Sequence, residues 1–211
     1  MKNRYSQLDL LNRRLSRKNG STSLLDVIKT VFAKNDYISI GLYIPYYDYL
    51  RGEVLLQDIM ELTTEEVSNL SVEGLIKLLY VQYLKQVMKG DIPLEKIGKR
   101  LVKMVNDVYA TELEDLQPVD SNTLVLKPRK TGHTTKQWKY IEITMKEQYL
   151  FRGEIMLKDI SEEYGIDFDF SIEDVIVALY CDFIKEIKKG HTVDTINNIL
   201  ASFSSYDVNL I

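Results

Sequence analysis

The strongest constraint on this chain is that it contains one stretch twice. Residues 49–59 read YLRGEVLLQDI and residues 150–160 read LFRGEIMLKDI. Both carry Arg-Gly-Glu (Arg51 to Glu53, Arg152 to Glu154), then apolar residues, a leucine and an Asp-Ile pair. Further on, SVEGLIKLLYVQYLKQVMKG (71–90) aligns without a gap with SIEDVIVALYCDFIKEIKKG (171–190), the spacing between copies shortened by one residue. Self-similarity governs every later reading of a fold. It predicts two copies of one module, at 37–110 and 138–211. N-terminal helices precede them (1–36), and a linker with a basic β-hairpin (111–137) separates them.

Each long repeated segment carries helix punctuation. Ser71 and Ser171 are natural N-caps, with Glu73, Glu173 and Asp174 in the first turn. There, acidic side chains complement the free amides and the helix dipole. Gly90 and Gly190 follow lysines where a left-handed C-cap belongs. Val72, Ile76, Leu79, Tyr83 and Val87 share one helical face, as do Ile172, Ile176, Leu179, Phe183 and Ile187. Second helices are predicted from about Pro93 to Leu116 and from about Val193 to Phe203.

Shorter elements surround these helices. Leu8, Leu11 and Leu15 predict an amphipathic N-terminal helix stopped by Gly20, and LLDVIKTVFAK (24–34) predicts another. Tyr37 to Tyr43, Leu124 to Leu126 and Trp138 to Ile143 read as strands, the last two joined into a linker hairpin. Pro45 is placed to open a helix. A glycine between two helical patterns costs about 1 kcal/mol inside a helix, so Arg-Gly-Glu reads as a helix–turn–helix corner. Thr144 and Glu147 have capping-box spacing, which starts the second copy's helix right after its strand.

The fold class expected is mainly α with short β-strands (α+β), an internally duplicated helical module packed about a pseudo-two-fold axis. Two independent modules joined by 111–136 are the alternative. With 45% hydrophobic and 27% charged residues, the composition is that of a globular protein rather than a disordered one. The net charge of −4 supplies no global attraction to nucleic acid or anionic membrane, so such binding needs a local patch. A single cysteine, Cys181, precludes an intramolecular disulfide and suits a reducing compartment. No apolar run has the length of a signal-peptide core or a membrane span, so a cytoplasmic location is expected.

Chemistry-bearing constellations are sparse. Asp167, Asp169, Ser171 and Glu173 alternate like a calcium loop, but Ile172 stands where that loop needs glycine and Ala178 where it needs glutamate. LKDISEEYGI (157–166) resembles a DNA-reading helix entrance, yet the acids from Glu162 to Asp174 repel phosphate. His133 and His191 are the only histidines, and Cys181 sits in an apolar run where inert thiols are usual. No catalytic residue, metal or cofactor is assigned.

Two candidate binding sets emerge. The repeated Arg51, Glu53, Arg152 and Glu154 are candidates for contact with a protein partner. Structurally, each arginine could instead cap helix carbonyls or pair with Asp58 or Asp159. The basic set comprises Arg13, Arg14 and Arg17 of the N-terminal helix, then Lys127, Arg129, Lys130, Lys136, Trp138 and Lys139 around the linker hairpin. Basic residues beside aromatics are suited to single-stranded nucleic acid; the plainer reading is a solvated loop over packed aromatics. The expected function is a non-enzymatic interaction or regulatory protein that binds another protein, with a nucleic-acid-binding regulator as the alternative. Oligomeric state is not legible.

Overall fold

The repeated stretches build the same run of elements, a strand followed by two helices. The computed structural model describes residues 5–17, 37–62, 71–90, 92–109, 114–120, 123–128 and 136–190. In chain order these form α1 (Leu10–Arg17), β1 (Tyr37–Pro45), α2 (Tyr46–Leu62), α3 (Val72–Lys89) and α4 (Leu94–Tyr109). They continue as β2 (Glu114–Asp120), β3 (Thr123–Pro128), β4 (Trp138–Lys146), α5 (Glu147–Tyr164) and α6 (Ile172–Lys188). The fold is mainly helical α+β. The predicted helices at 24–34 and 193–203 lie outside the described residues.

The principal sheet pairs β1 with β4, antiparallel. Tyr37 faces Lys146, Gly41 faces Glu142 and Pro45 faces Trp138. Gly41 and Glu142 hold the same position in the two repeated stretches, so the register is symmetric about that pair. Alternation sends Ile40, Leu42 and Ile44, with Ile141, Ile143 and Met145, into the core. Tyr43 and Tyr140 point outward.

This pairing corrects the expected linker hairpin: Leu124 lies in β3, which pairs with β2, not with the strand containing Trp138. The hydrogen-bonding partner of β4 is β1, about a hundred residues away in sequence, which local pattern cannot reveal. Three boundaries also shift. β1 runs through Pro45, and its helix starts one residue later. β4 continues to Lys146, so Thr144 bonds Ser39 across the sheet rather than capping α5. α4 ends at Tyr109, and Glu114–Asp120 is a strand where helix was expected to continue to Leu116.

Helix punctuation in the long helices holds. The Ser71 hydroxyl accepts from the Gly74 amide at 3.0 Å, and Gly90 closes α3 in the left-handed region at φ 73°. Ser171 and Asp174 form a reciprocal capping box at α6. Such caps contribute about 1 kcal/mol each.

The Arg-Gly-Glu corner is corrected as well: both copies lie inside unbroken helices, α2 and α5. The glycine answers a close approach, not a turn. Tyr180 of α6 lies over Gly52, where an added Cβ would overlap its phenolic oxygen, and Tyr80 of α3 lies over Gly153 in the same way. The Tyr180 hydroxyl donates to the Asp48 carbonyl at 2.9 Å, and Tyr80 donates to the Tyr149 carbonyl at 3.1 Å. Each tyrosine is fully buried and crosses to the other repeated stretch. The exchange joins both halves in one core.

Candidate interaction surface

The two glutamates of Arg-Gly-Glu have opposite surroundings. Glu154 on α5 is 1% exposed. Its carboxylate accepts from the Leu10 amide at 3.0 Å, the Leu11 amide at 2.5 Å and the Ser6 hydroxyl. Glu154 thereby receives the free amides at the start of α1, the anionic partner a helix N-terminus favours.

Around it, residues 5–17 lie along α5 and the start of α6. The Tyr5 carbonyl accepts from the Ile172 amide at 2.7 Å, and the Gln7 amide donates to Glu173 at 3.0 Å. Arg14 pairs with Glu147 at 2.5 Å and lies 3.9 Å over the Phe151 ring. Leu10 and Leu11 are buried, whereas Leu15, expected on the same apolar stripe, faces outward. An amphipathic N-terminal helix laid on the body was expected from its leucines; its anchoring on the repeated Glu154 was not.

Among the described residues, none covers the corresponding face of α2 as α1 covers that of α5. Glu53, the counterpart of Glu154, is exposed. Tyr46, Leu50 and Val54 stand where Glu147, Phe151 and Ile155 stand on α5, and Leu50 and Val54 are 38% and 44% exposed. Asp58 and Glu61 extend the exposed face, and Arg51, partly buried, is the only basic residue of the helix. Glu73, counterpart of Glu173, is half-buried at the start of α3. Burial raises the Tyr49 phenol above its ordinary value, and the neighbouring Glu53, which accepts from its hydroxyl, and Glu73 add to that shift.

The arginines of the motif diverge too. Arg152 is exposed and its guanidinium approaches the Met88 sulfur at 3.8 Å, while Arg51 is partly buried. Among the described residues neither arginine forms an ion pair with Asp58 or Asp159. The structure therefore brings Arg51, Glu53, Arg152 and Glu154 to two separate helices rather than into one cluster.

The basic set is dispersed. Arg13 is exposed on α1, Arg14 is held by Glu147, and Arg17 ends the helix. Lys127 falls in β3; Arg129 and Lys130, together with His133 and His191, lie outside the described residues. Lys136 donates to the Val108 carbonyl at 2.8 Å. Lys139 lies 5.6 Å over the Tyr49 ring. Trp138 stacks on Tyr109 with centroids 5.5 Å apart.

Trp138 belongs to a group of exposed aromatics at one end of the sheet. Tyr43 and Tyr140 face each other at 5.2 Å between centroids, and Tyr46 and Tyr47 follow directly in the chain. Tyr47 is 65% exposed, with the Lys188 ammonium 4.7 Å over its ring.

Among the described residues, two clefts lie beside these elements. One, about 230 Å³, is lined by Asp48, Asp107, Lys136, Cys181 and Lys188. The other, about 290 Å³, lies between α3, α4 and α6 beside Tyr83, Ile97, Arg100 and Phe183. Both fall below the roughly 300–1,000 Å³ usual for small-molecule sites. The Cys181 thiol is pushed far up by burial, an effect Asp48 reinforces, so it is not a ready nucleophile. Among the described residues no group of three or more His, Cys, Asp or Glu is placed to hold a metal ion. None of the described helices is long and apolar enough to cross a membrane.

No protein-family model, curated protein or solved structure matches this chain.

Proposed function

We propose that the chain is a tandem duplication whose copies pack about a pseudo-two-fold axis between Gly41 and Glu142. We propose further that it acts as a non-enzymatic regulatory protein by binding another protein. The symmetric strand register and the reciprocal Tyr80–Gly153 and Tyr180–Gly52 contacts support the first part. The observation carrying the second is the exposed group of Tyr43, Tyr46, Tyr47, Trp138 and Tyr140 at one end of the sheet. Large rigid aromatics concentrate at protein interfaces, where burying them on a partner gains much area at little conformational cost.

The test is capture of partners by the tagged full chain from its native cells, with and without nuclease. A stoichiometric protein that survives nuclease supports the reading. Recovery of no such protein contradicts it.

A second reading, nucleic-acid binding, is favoured by one observation: the exposed Trp138 and Tyr140 lie in the same strand as Lys139. Bases could stack on the face that presents Trp138 and Tyr140. Such binding should weaken with salt by roughly one log unit of slope per neutralised phosphate, and Lys127, Arg129 and Lys130 changed together to Glu should abolish it.

A further inference from the structure

The paired Arg-Gly-Glu helices offer one docking face twice, and the described residues fill it once. On α5 the occupant is the segment Tyr5–Arg17: an extended piece with a serine, then a basic amphipathic helix whose first amides meet Glu154. On α2 the same positions hold Glu53, Leu50 and Val54, all exposed. From this internal precedent we propose that the α2 face, with Glu73 at its edge, binds a basic amphipathic helix of a partner protein. The partner's first-turn amides would meet Glu53, as those of α1 meet Glu154. The inference rests on the protein-binding reading above and names the kind of partner.

Three observations set that chemistry. A helix N-terminus with unpaired amides is the natural complement of a carboxylate standing amid apolar side chains. The exposed apolar residues Tyr46, Leu50 and Val54 recur at helical spacing, which fits a second helix laid along the first. The charges exposed beside them, Glu53, Asp58 and Glu61, are all acidic, so the complementary helix is basic, as α1 is with Arg13 and Arg14. The difference at Tyr46 changes the chemistry of this face. Where α5 carries Glu147 to receive Arg14, α2 carries Tyr46, so a partner arginine would stack there rather than pair.

The probe is a labelled peptide with the sequence of residues 5–17, titrated into the full chain and followed by fluorescence anisotropy. Saturable binding is expected, weakened about tenfold or more by Glu53→Ala and by Leu50→Asp, each checked for an unchanged melting curve. Absence of saturable binding, or binding unaltered by both variants, would overturn the proposal. The unaltered case would mean that the peptide exchanges with the chain's own segment at Glu154. Self-association of the full chain that both variants abolish would also overturn it, assigning the face to a second copy. Capture from cells separates the two levels. A nuclease-resistant protein retained by both variants sinks this inference and leaves the broader reading standing, whereas no protein partner at all sinks the broader reading.

Discussion

The phenolic oxygen of Tyr180 occupies the space where Gly52 would carry a side chain, and it donates to the carbonyl of Asp48 one turn earlier. The Tyr80–Gly153 contact repeats this in the opposite direction, with Tyr149 in place of Asp48. Two helices that each need glycine at one point are thus locked by two tyrosines from the opposite repeated stretches.

The sign of a single substitution reports on this lock. Gly→Ala inside an ordinary exposed helix gains about 1 kcal/mol. Gly52→Ala should instead cost about 1–3 kcal/mol, because the new methyl overfills a packed site. Adding Tyr180→Phe removes the oxygen that the methyl meets, so the double variant should lose less than the two single losses together. Urea denaturation of the four proteins measures the coupling.

The two motif glutamates should respond in opposite ways. Glu154→Ala removes a buried carboxylate that holds the Leu10 and Leu11 amides and the Ser6 hydroxyl, and should cost about 2–4 kcal/mol. Glu53→Ala, on the exposed face of α2, should stay within about 0.5 kcal/mol of wild type. Equal losses would contradict the asymmetry described above.

Glu173 predicts a pH dependence. Burial raises its carboxyl above the ordinary glutamate value, and one of its buried oxygens has no hydrogen-bond partner among the described residues. A folded-state pKa above the unfolded one means that the folded chain holds the proton more tightly. Glu173 therefore detracts from stability once pH rises through its folded pKa, and the penalty is absent below the unfolded value. Glu173→Gln keeps an acceptor for the Gln7 amide and should be more stable than wild type near neutral pH by about 1 kcal/mol. The difference should shrink as pH falls below about 4, where the carboxyl becomes protonated in the folded and unfolded chains alike. Denaturation midpoints across that range read it directly.

Cys181 should resist alkylation in the native protein and react readily in denaturant, since burial on the packed side of α6 holds its thiol protonated. Thiol titration at mildly alkaline pH with and without urea provides the comparison. Fast native labelling would mean that α6 opens at that point.

The repeat, the long helices and their caps were legible because each depends on neighbours in the chain: Ser71 on the Gly74 amide, Ser171 on Asp174. Gly52 and Gly153 were misread as turns because propensity registers a glycine's cost but not a tyrosine arriving from another helix. The partner of β4 was missed for the same reason, since β1 lies far away in sequence and β3 is the nearer strand. The candidate surface was half visible. Arg-Gly-Glu stood out by repetition, but nothing local says that Glu154 is covered by α1 while Glu53 faces outward. That difference depends on where residues 5–17 come to rest.

The most direct test of the account places a photo-crosslinking amino acid at Val54 of the tagged full chain, irradiated in the native cells. A covalent adduct with a discrete protein is expected, crosslinked through a basic helical segment and lost when Glu53→Lys is added. Adducts only with nucleic acid, or a protein adduct indifferent to Glu53→Lys, would contradict it.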